Sequence, residues 1–237
     1  MLNTVLFDLD GTLLPLDQDV FIERYFVTLA ATMAGKGFDP KQVVKGVRYG
    51  TQAMLDNDGG AANCDRFWAA FSEFFGKDMY GYEPDFDQFY RTAFRQVKEV
   101  TCPDTCAAEC VRLLKQKGYT VAVATAPVFP AIATNTRIEW AGLKPEDFAL
   151  VTTYENSRFC KPNPAYYEEV MGKLGKRVDE CLMIGNDIDD DMSVTKMGMQ
   201  AFWLDTWPVN RKNDPTDHLE KGDFDALLAK IRALPEI

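Results

Sequence analysis

The stretch Val5-Leu6-Phe7-Asp8-Leu9-Asp10-Gly11-Thr12-Leu13-Leu14 decides the fold. Three apolar residues run into a spaced pair of aspartates, and Gly11 then supplies a turn. A short apolar run stopped by turn chemistry predicts a buried strand. Downstream the pattern changes. From about Asp17 to Val100 the apolar residues recur at helical spacing and no strand is evident. Ile22, Phe26, Leu29 and Met33 make a first stripe. Asp39-Pro40 reads as an N-cap with proline at the first helical position, ahead of Val44, Val47 and Met54. Phe67, Phe71 and Phe74 form a third stripe. Asp85 is expected to cap a fourth helix carrying Phe86, Tyr90, Phe94 and Val97.

Beyond Pro103, helices and strands alternate. A helix holds Cys106, Cys110, Leu113 and Leu114, and strand Tyr119–Ala124 follows. Next come a helix over Ile132–Trp140, a short strand at Leu150-Val151, a helix over Pro164–Leu174 and strand Cys181–Ile184. A further helix, strand Ala201–Leu204 and a last helix with Phe224, Leu227, Leu228, Ile231 and Leu234 complete the chain. Such alternation implies a parallel sheet covered by helices on both faces. The first strand therefore joins partners encoded far downstream, and the helical block between them leaves the sheet and returns. The expected architecture is α/β: a Rossmann-like three-layer sandwich from residues 1–15 and 101–237, with an inserted all-helical cap domain at residues 16–100.

Composition narrows the functional classes. A length of 237 residues suits one large domain or one domain with an insertion. With 46% apolar and 26% charged residues, wholesale disorder and low-complexity structure are excluded. Acidic residues outnumber basic ones by 36 to 26, a net charge of −10, so nothing draws the whole chain to nucleic acid or an anionic membrane. No run approaches the ~20 apolar residues of a membrane span. The start of the chain lacks a basic segment and is interrupted by Asp8 and Asp10, unlike a secretory signal. Six cysteines are too sparse for a disulfide scaffold. A cytoplasmic protein is the expectation.

Ligands of open parallel sheets bind beyond the carboxyl ends of the strands. The residues at those ends are Asp8 through Thr12, Thr125-Ala126-Pro127 and Gly185-Asn186-Asp187 through Asp191, with Cys160-Lys161-Pro162 shortly after the Leu150-Val151 strand. Asp8, Asp10, Asp187 and Asp191 would then face a single lysine. Two like charges 4 Å apart repel by about 4 kcal/mol even at an effective dielectric of 20. Such a cluster protonates or recruits a cation, and an all-oxygen set with few ligands suits Mg²⁺. With that cation in place, a phosphoryl group could approach a carboxylate nucleophile.

These residues resemble the haloacid dehalogenase-like hydrolases. FDLDGTLL at Phe7–Leu14 looks like the family's first motif, Thr125 after VAVA its second, Lys161-Pro162 its third and GNDIDDD at Gly185–Asp191 its fourth. The resemblance implies an Asp8 nucleophile that forms an aspartyl-phosphate. Asp10 would protonate the leaving oxygen and then deprotonate the hydrolytic water. Thr125 would hydrogen-bond a phosphoryl oxygen and Lys161 would balance charge. Backbone amides at the Asp10–Thr12 turn could also face phosphoryl oxygens. Mg²⁺ would be bound by Asp8, the carbonyl of Asp10 and the fourth motif. There the family usually has an acid directly after the glycine, where this chain has Asn186. Asp187 is taken as the direct ligand with Asp191 close behind, and Asn186 or Asp190 as substitutes if the loop runs one residue differently. The dehalogenases of this group lack an acid at the place of Asp10, so its presence favours phosphoryl transfer. The implied reaction is Mg²⁺-dependent hydrolysis of a small phosphorylated metabolite. A phosphotransferase such as a sugar phosphomutase, or a catalytically silent binding module, are the alternatives.

Plainer readings exist for each residue. Asp8 alone is a turn residue, Thr125 a helix N-cap, Lys161 a solvated lysine, and Asp189 through Asp191 an acidic helix start. Cys102, Cys106 and Cys110 read as a helical stripe packed in the core. His218, the lone histidine, lies in a polar stretch and reads as a surface or capping residue. The EF-hand pattern fails, because counting from Asp8 or from Asp187 puts no glycine at the sixth place. The aromatic stripes read as cap core. Arg24, Arg48 and Tyr49 could touch a substrate, whereas Arg137, Trp140 and the run Tyr154–Tyr167 carry no assigned role.

Overall fold

The computed structural model describes residues 1–237. In its sheet β1 (Thr4–Phe7) pairs in parallel with β2 (Thr120–Val123) on one side and β3 (Cys181–Gly185) on the other. β4 (Gln200–Leu204) and β5 (Lys221–Gly222) extend the sheet to the order β2-β1-β3-β4-β5, with every pair parallel. Side chains alternate across it. Val5, Phe7, Val121, Val123, Leu182 and Ile184 pack with Leu114 of α5 (Thr105–Gln116) and Leu227 and Ile231 of α8 (Phe224–Ala233). Leu6, Ala122, Cys181 and Met183 pack on the other side with Tyr166, Tyr167 and Val170 of α7 (Pro164–Leu174). Burial of both faces is why these strands read as unbroken apolar runs rather than alternating ones. The three-layer α/β sandwich is as expected.

The helical block comprises α1 (Gln18–Ala34), α2 (Pro40–Leu55), α3 (Asn63–Phe75), α4 (Glu83–Arg91) and a 3₁₀ segment, Ala93–Val100. Asp17 and Asp39 cap α1 and α2 by accepting backbone N–H groups with their side chains. Entry and exit lie side by side: Leu16 bridges Thr101, and the Cys102 N–H donates to the Pro15 carbonyl at 2.7 Å.

Local structure departs from expectation in several places. The fourth helix starts at Glu83, with Pro84 in its first turn, so Asp85 is not its cap. It breaks at Thr92 (φ −121°, ψ −87°), yet Phe86, Tyr90, Phe94 and Val97 are all buried, because the 3₁₀ continuation keeps them on one side. The helix expected after strand Cys181–Ile184 is a 3₁₀ segment, Met192–Met197. Leu150-Val151 forms only a single bridge, Val123 to Val151, before the chain turns toward the site. β5 is two residues long and too polar to show as an apolar run. Cys102 precedes α5 and is exposed, Cys106 is half-buried, and only Cys110 is core, so the stripe packs at one end alone. His218 is exposed.

Candidate active site

β1 delivers Asp8 to the carboxyl edge of the sheet, where its N–H still pairs with the Ile184 carbonyl at 2.9 Å. The chain then folds tightly back: the Gly11 N–H donates to Leu14 and the Thr12 N–H to Leu9. These two amides are therefore occupied, contrary to the expectation that they face a ligand. Gly11 has φ +83°, and a Cβ there would also overlap the Asn186 amide, so side-chain-free backbone is required on both counts. Asn186 is a structural tie. It accepts from the Thr12 hydroxyl at 3.2 Å and donates to the Trp207 carbonyl at 2.6 Å.

Lys161 reaches this edge from the turn that precedes α7. Its Nζ donates to Asp8 Oδ1 at 2.9 Å and to Asp191 Oδ1 at 2.6 Å, and its side chain is almost entirely buried. The other Asp191 oxygen accepts the Asp187 N–H at 3.0 Å, so Asp191 is held by the lysine and the loop. Gly185 matters here: a Cβ on it would occupy the place of the Asp191 carboxylate. Burial opposes the charge on Lys161, but Asp191 and Asp8 outweigh it and carry its pKa well above the ordinary value. Asp187 accepts the N–H groups of Asp189 and Asp190 on Oδ1 and Arg211 Nη1 at 2.7 Å on Oδ2. Asp190 is the fourth-motif acid held by no protein donor, and burial raises it to about 6.

Asp10 points elsewhere. Its Oδ2 accepts from Arg137 of α6 (Ala131–Trp140), and its Oδ1 is buried without a partner. Burial lifts Asp10 to about 6; Arg137 and Lys161 pull it back and Asp8 adds to the rise. Arg137 is wholly buried, with its guanidinium 4.3 Å from the centroid of the Phe129 ring. Replacing it with methionine strands a carboxylate in the interior. Arg137→Met should cost about 3–5 kcal/mol, read as a lower denaturant midpoint at unchanged slope.

Asp8, Asp10, Thr125, Lys161, Asp187, Asp190 and Asp191 line one pocket of about 100 Å³. Thr125 lies ahead of α6, whose N-cap is Pro130, so it caps nothing. Its carbonyl accepts from the hydroxyls of Thr152 and Tyr166, both at 2.8 Å. The Tyr167 hydroxyl donates to the Asp190 carbonyl at 2.8 Å. The run Tyr154–Tyr167 thus fastens the second and fourth segments. Sequence reasoning counted one cation at this edge, whereas the structure assembles three: Lys161, Arg137 and Arg211. Arg137 was traceable, since it follows Ala133 by one helical turn on the face that also holds Ile138 and Trp140. Arg211, in an irregular polar loop, gave no signal. No three carboxylate, imidazole or thiolate groups converge on a common point as they stand. The donors nevertheless suit a hard cation: all are oxygens, and burial raises the pKa values of three acids there, Asp10, Asp190 and Asp191, in a pocket whose carboxylates outnumber its cations.

A second hollow, of about 340 Å³, adjoins this one between the helical block and the loop residues Val128, Phe129, Pro130 and Tyr154. Phe67, Phe86 and Tyr90 line it, so the aromatic stripes are not core alone. Arg48 borders it. Arg24 instead pairs with Glu99 at 2.6 Å, and Tyr49 lies on the surface against Phe74.

A doubly covered parallel sheet with an acidic pocket at its carboxyl edge defines an α/β enzyme of the Rossmann-like class. The model of the haloacid dehalogenase-like hydrolases matches residues 2–196, and the chain belongs to that family of hydrolases. It is 26% identical over 237 residues to the pyrophosphatase PpaX of Anoxybacillus flavithermus, covering 100% of this chain and 96% of the relative. It is 28% identical over 126 residues to the glyceraldehyde 3-phosphate phosphatase of Methanothermobacter thermautotrophicus, covering 52% and 53%. Its fold is similar to that of a HAD phosphatase from Thermococcus onnurineus, with a TM-score of 0.61 and 20% identity over 100% of both chains. It is equally similar to 2-haloacid dehalogenase from Pseudomonas syringae pv. Tomato DC3000, with a TM-score of 0.62 and 21% identity over 98% and 99%. No helix is long and apolar enough to cross a membrane.

Proposed function

We infer that the chain is a Mg²⁺-dependent phosphatase acting on a small phosphomonoester through an aspartyl-phosphate. The observation that carries this reading is the pairing of Asp8, held by Lys161, with Asp10, a second buried acid two residues on. Asp8 forms the new bond to phosphorus through Oδ2, the oxygen that Lys161 does not engage. The bond from phosphorus to the alcohol oxygen breaks, and protonated Asp10 gives that oxygen its proton. In the second half Asp10 takes a proton from water as the water attacks phosphorus, and the bond to Asp8 breaks to release phosphate. A pKa of about 6 allows Asp10 both duties near neutral pH. Thr125 orients a phosphoryl oxygen, and Lys161 balances the charge of Asp8 and the incoming group. Asp8, the Asp10 carbonyl, and Asp187 and Asp190 would hold Mg²⁺. When bound, the cation neutralises carboxylates that otherwise repel the substrate and stabilises charge on the phosphoryl oxygens. Asp191 serves by holding Lys161. The block at residues 16–100 acts as a cap that excludes water and selects the leaving group.

The test is phosphate release from a panel of phosphomonoesters with and without metal. Activity should vanish in excess chelator and return when Mg²⁺ is restored in excess. Turnover undiminished by thorough chelation would remove the cation from the reading. A sugar 1-phosphate converted to its 6-phosphate without free phosphate would instead indicate the phosphomutase.

A further inference from the structure

We propose that the alcohol released from the substrate is apolar, aromatic or branched, and carries no second anionic group. This rests on the phosphatase reading above and names its substrate class. The acid pocket, at about 100 Å³, has room for little beyond a phosphoryl group. The larger hollow of about 340 Å³ is walled mainly by rings and aliphatic side chains, and Ile22, Val128 and Phe129 line both spaces. The two spaces are therefore next to each other, with these three side chains as their common border.

Phe129 fixes the direction. One side of its ring lies against the Arg137 guanidinium, which holds Asp10. The ring also meets Tyr25, a wall of the larger hollow, edge to face at 5.3 Å. The oxygen that receives the Asp10 proton is the first atom of the leaving alcohol. The apolar space beyond Phe129 is the neighbouring room for its carbon skeleton.

Charge in that space argues against a second phosphate or a carboxylate. Arg48 is the one cation on its wall, and its guanidinium already lies 4.3 Å from the centroid of the Phe26 ring. Glu83 and Asp87 stand on the same wall. An anionic tail would meet two carboxylates against one arginine and would give up its hydration for it. The hydroxyls of Tyr25 and Tyr90 are bonded to each other at 3.0 Å and offer a tail little. An apolar tail loses only unfavourable contact with water, and each buried methylene strengthens binding by roughly fourfold.

The experiment compares kcat/KM for phosphate release with Mg²⁺ present, using 2-phenylethyl phosphate, 3-methylbutyl phosphate, methyl phosphate, phosphoglycolate and inorganic pyrophosphate. The first two should exceed phosphoglycolate and pyrophosphate by at least about tenfold. Thr51→Trp places an indole in the larger hollow, away from the acid pocket. It should lower kcat/KM for 2-phenylethyl phosphate by about tenfold or more, chiefly through KM, and leave methyl phosphate within about twofold. The wild-type ratio decides without the variant should that protein fail to fold. Phosphoglycolate or pyrophosphate turned over as well as the apolar esters overturns the proposal and leaves the phosphatase reading intact. Phosphate release from none of the five compounds overturns both.

Discussion

Asp8→Asn should abolish phosphate release, lowering kcat by at least about 10⁴-fold. Asparagine keeps the shape of the side chain and can still accept from Lys161 through its amide oxygen. What it loses is the negative charge and the electron pair that form the bond to phosphorus. The variant should therefore remain folded, since one carboxylate fewer relieves the crowding beside Asp191. Phosphate release measured alongside the melting temperature separates the two effects. Activity retained within tenfold in a freshly prepared variant, before any deamidation, would assign the attack to another group.

Lys161→Met gives the second large effect, on two observables at once. Lys161 is the cation that Asp8 and Asp191 share, and almost none of it is exposed. Methionine fills a similar volume with no charge, leaving two carboxylates unpaired in the interior. Loss of a buried partner costs about 3–5 kcal/mol, measured by denaturant unfolding in chelator. Phosphate release should fall by roughly 10²–10³-fold, the usual effect of removing one group aimed at transition-state charge. Lys161→Arg should not rescue it, because the planar guanidinium is broader and cannot place one nitrogen between both oxygens. A variant as stable and as active as the parent would reduce this lysine to a bystander.

Much of this was visible in the linear chain because strand ends announce themselves. Val5-Leu6-Phe7 and Cys181–Ile184 are apolar throughout and stop at aspartate or glycine, so their carboxyl ends, and the acids beyond, could be located from the pattern. The helical block was legible from its stripes, although helix ends were not: Thr92 breaks a periodicity that continues in side-chain packing. Contacts between distant segments were not legible. Arg137 finds Asp10 across 127 residues and Arg211 finds Asp187 across 24; one lies on the buried face of a helix and the other in a polar turn, and neither place names the distant partner. The amides of Gly11 and Thr12 close a tight turn on themselves, a choice of partners that only the folded loop reveals. The same limit applies to the aromatic stripes. Period shows that Phe67, Phe86 and Tyr90 face inward, but whether they meet other side chains or a hollow depends on how helices from separate segments stand against the sheet.

The position of β1 has a consequence for biosynthesis. β1 is synthesised before both of the strands it pairs with, which begin at Thr120 and Cys181. At ~5–20 residues per second, Val5-Leu6-Phe7 waits on the order of ten seconds for its second partner. The helical insertion, rich in local contacts, can fold during that interval, whereas the strand cannot. The nascent chain then carries a folded helical block beside an unpaired apolar strand, and shielding that strand until Cys181–Gly185 has been made should reduce aggregation.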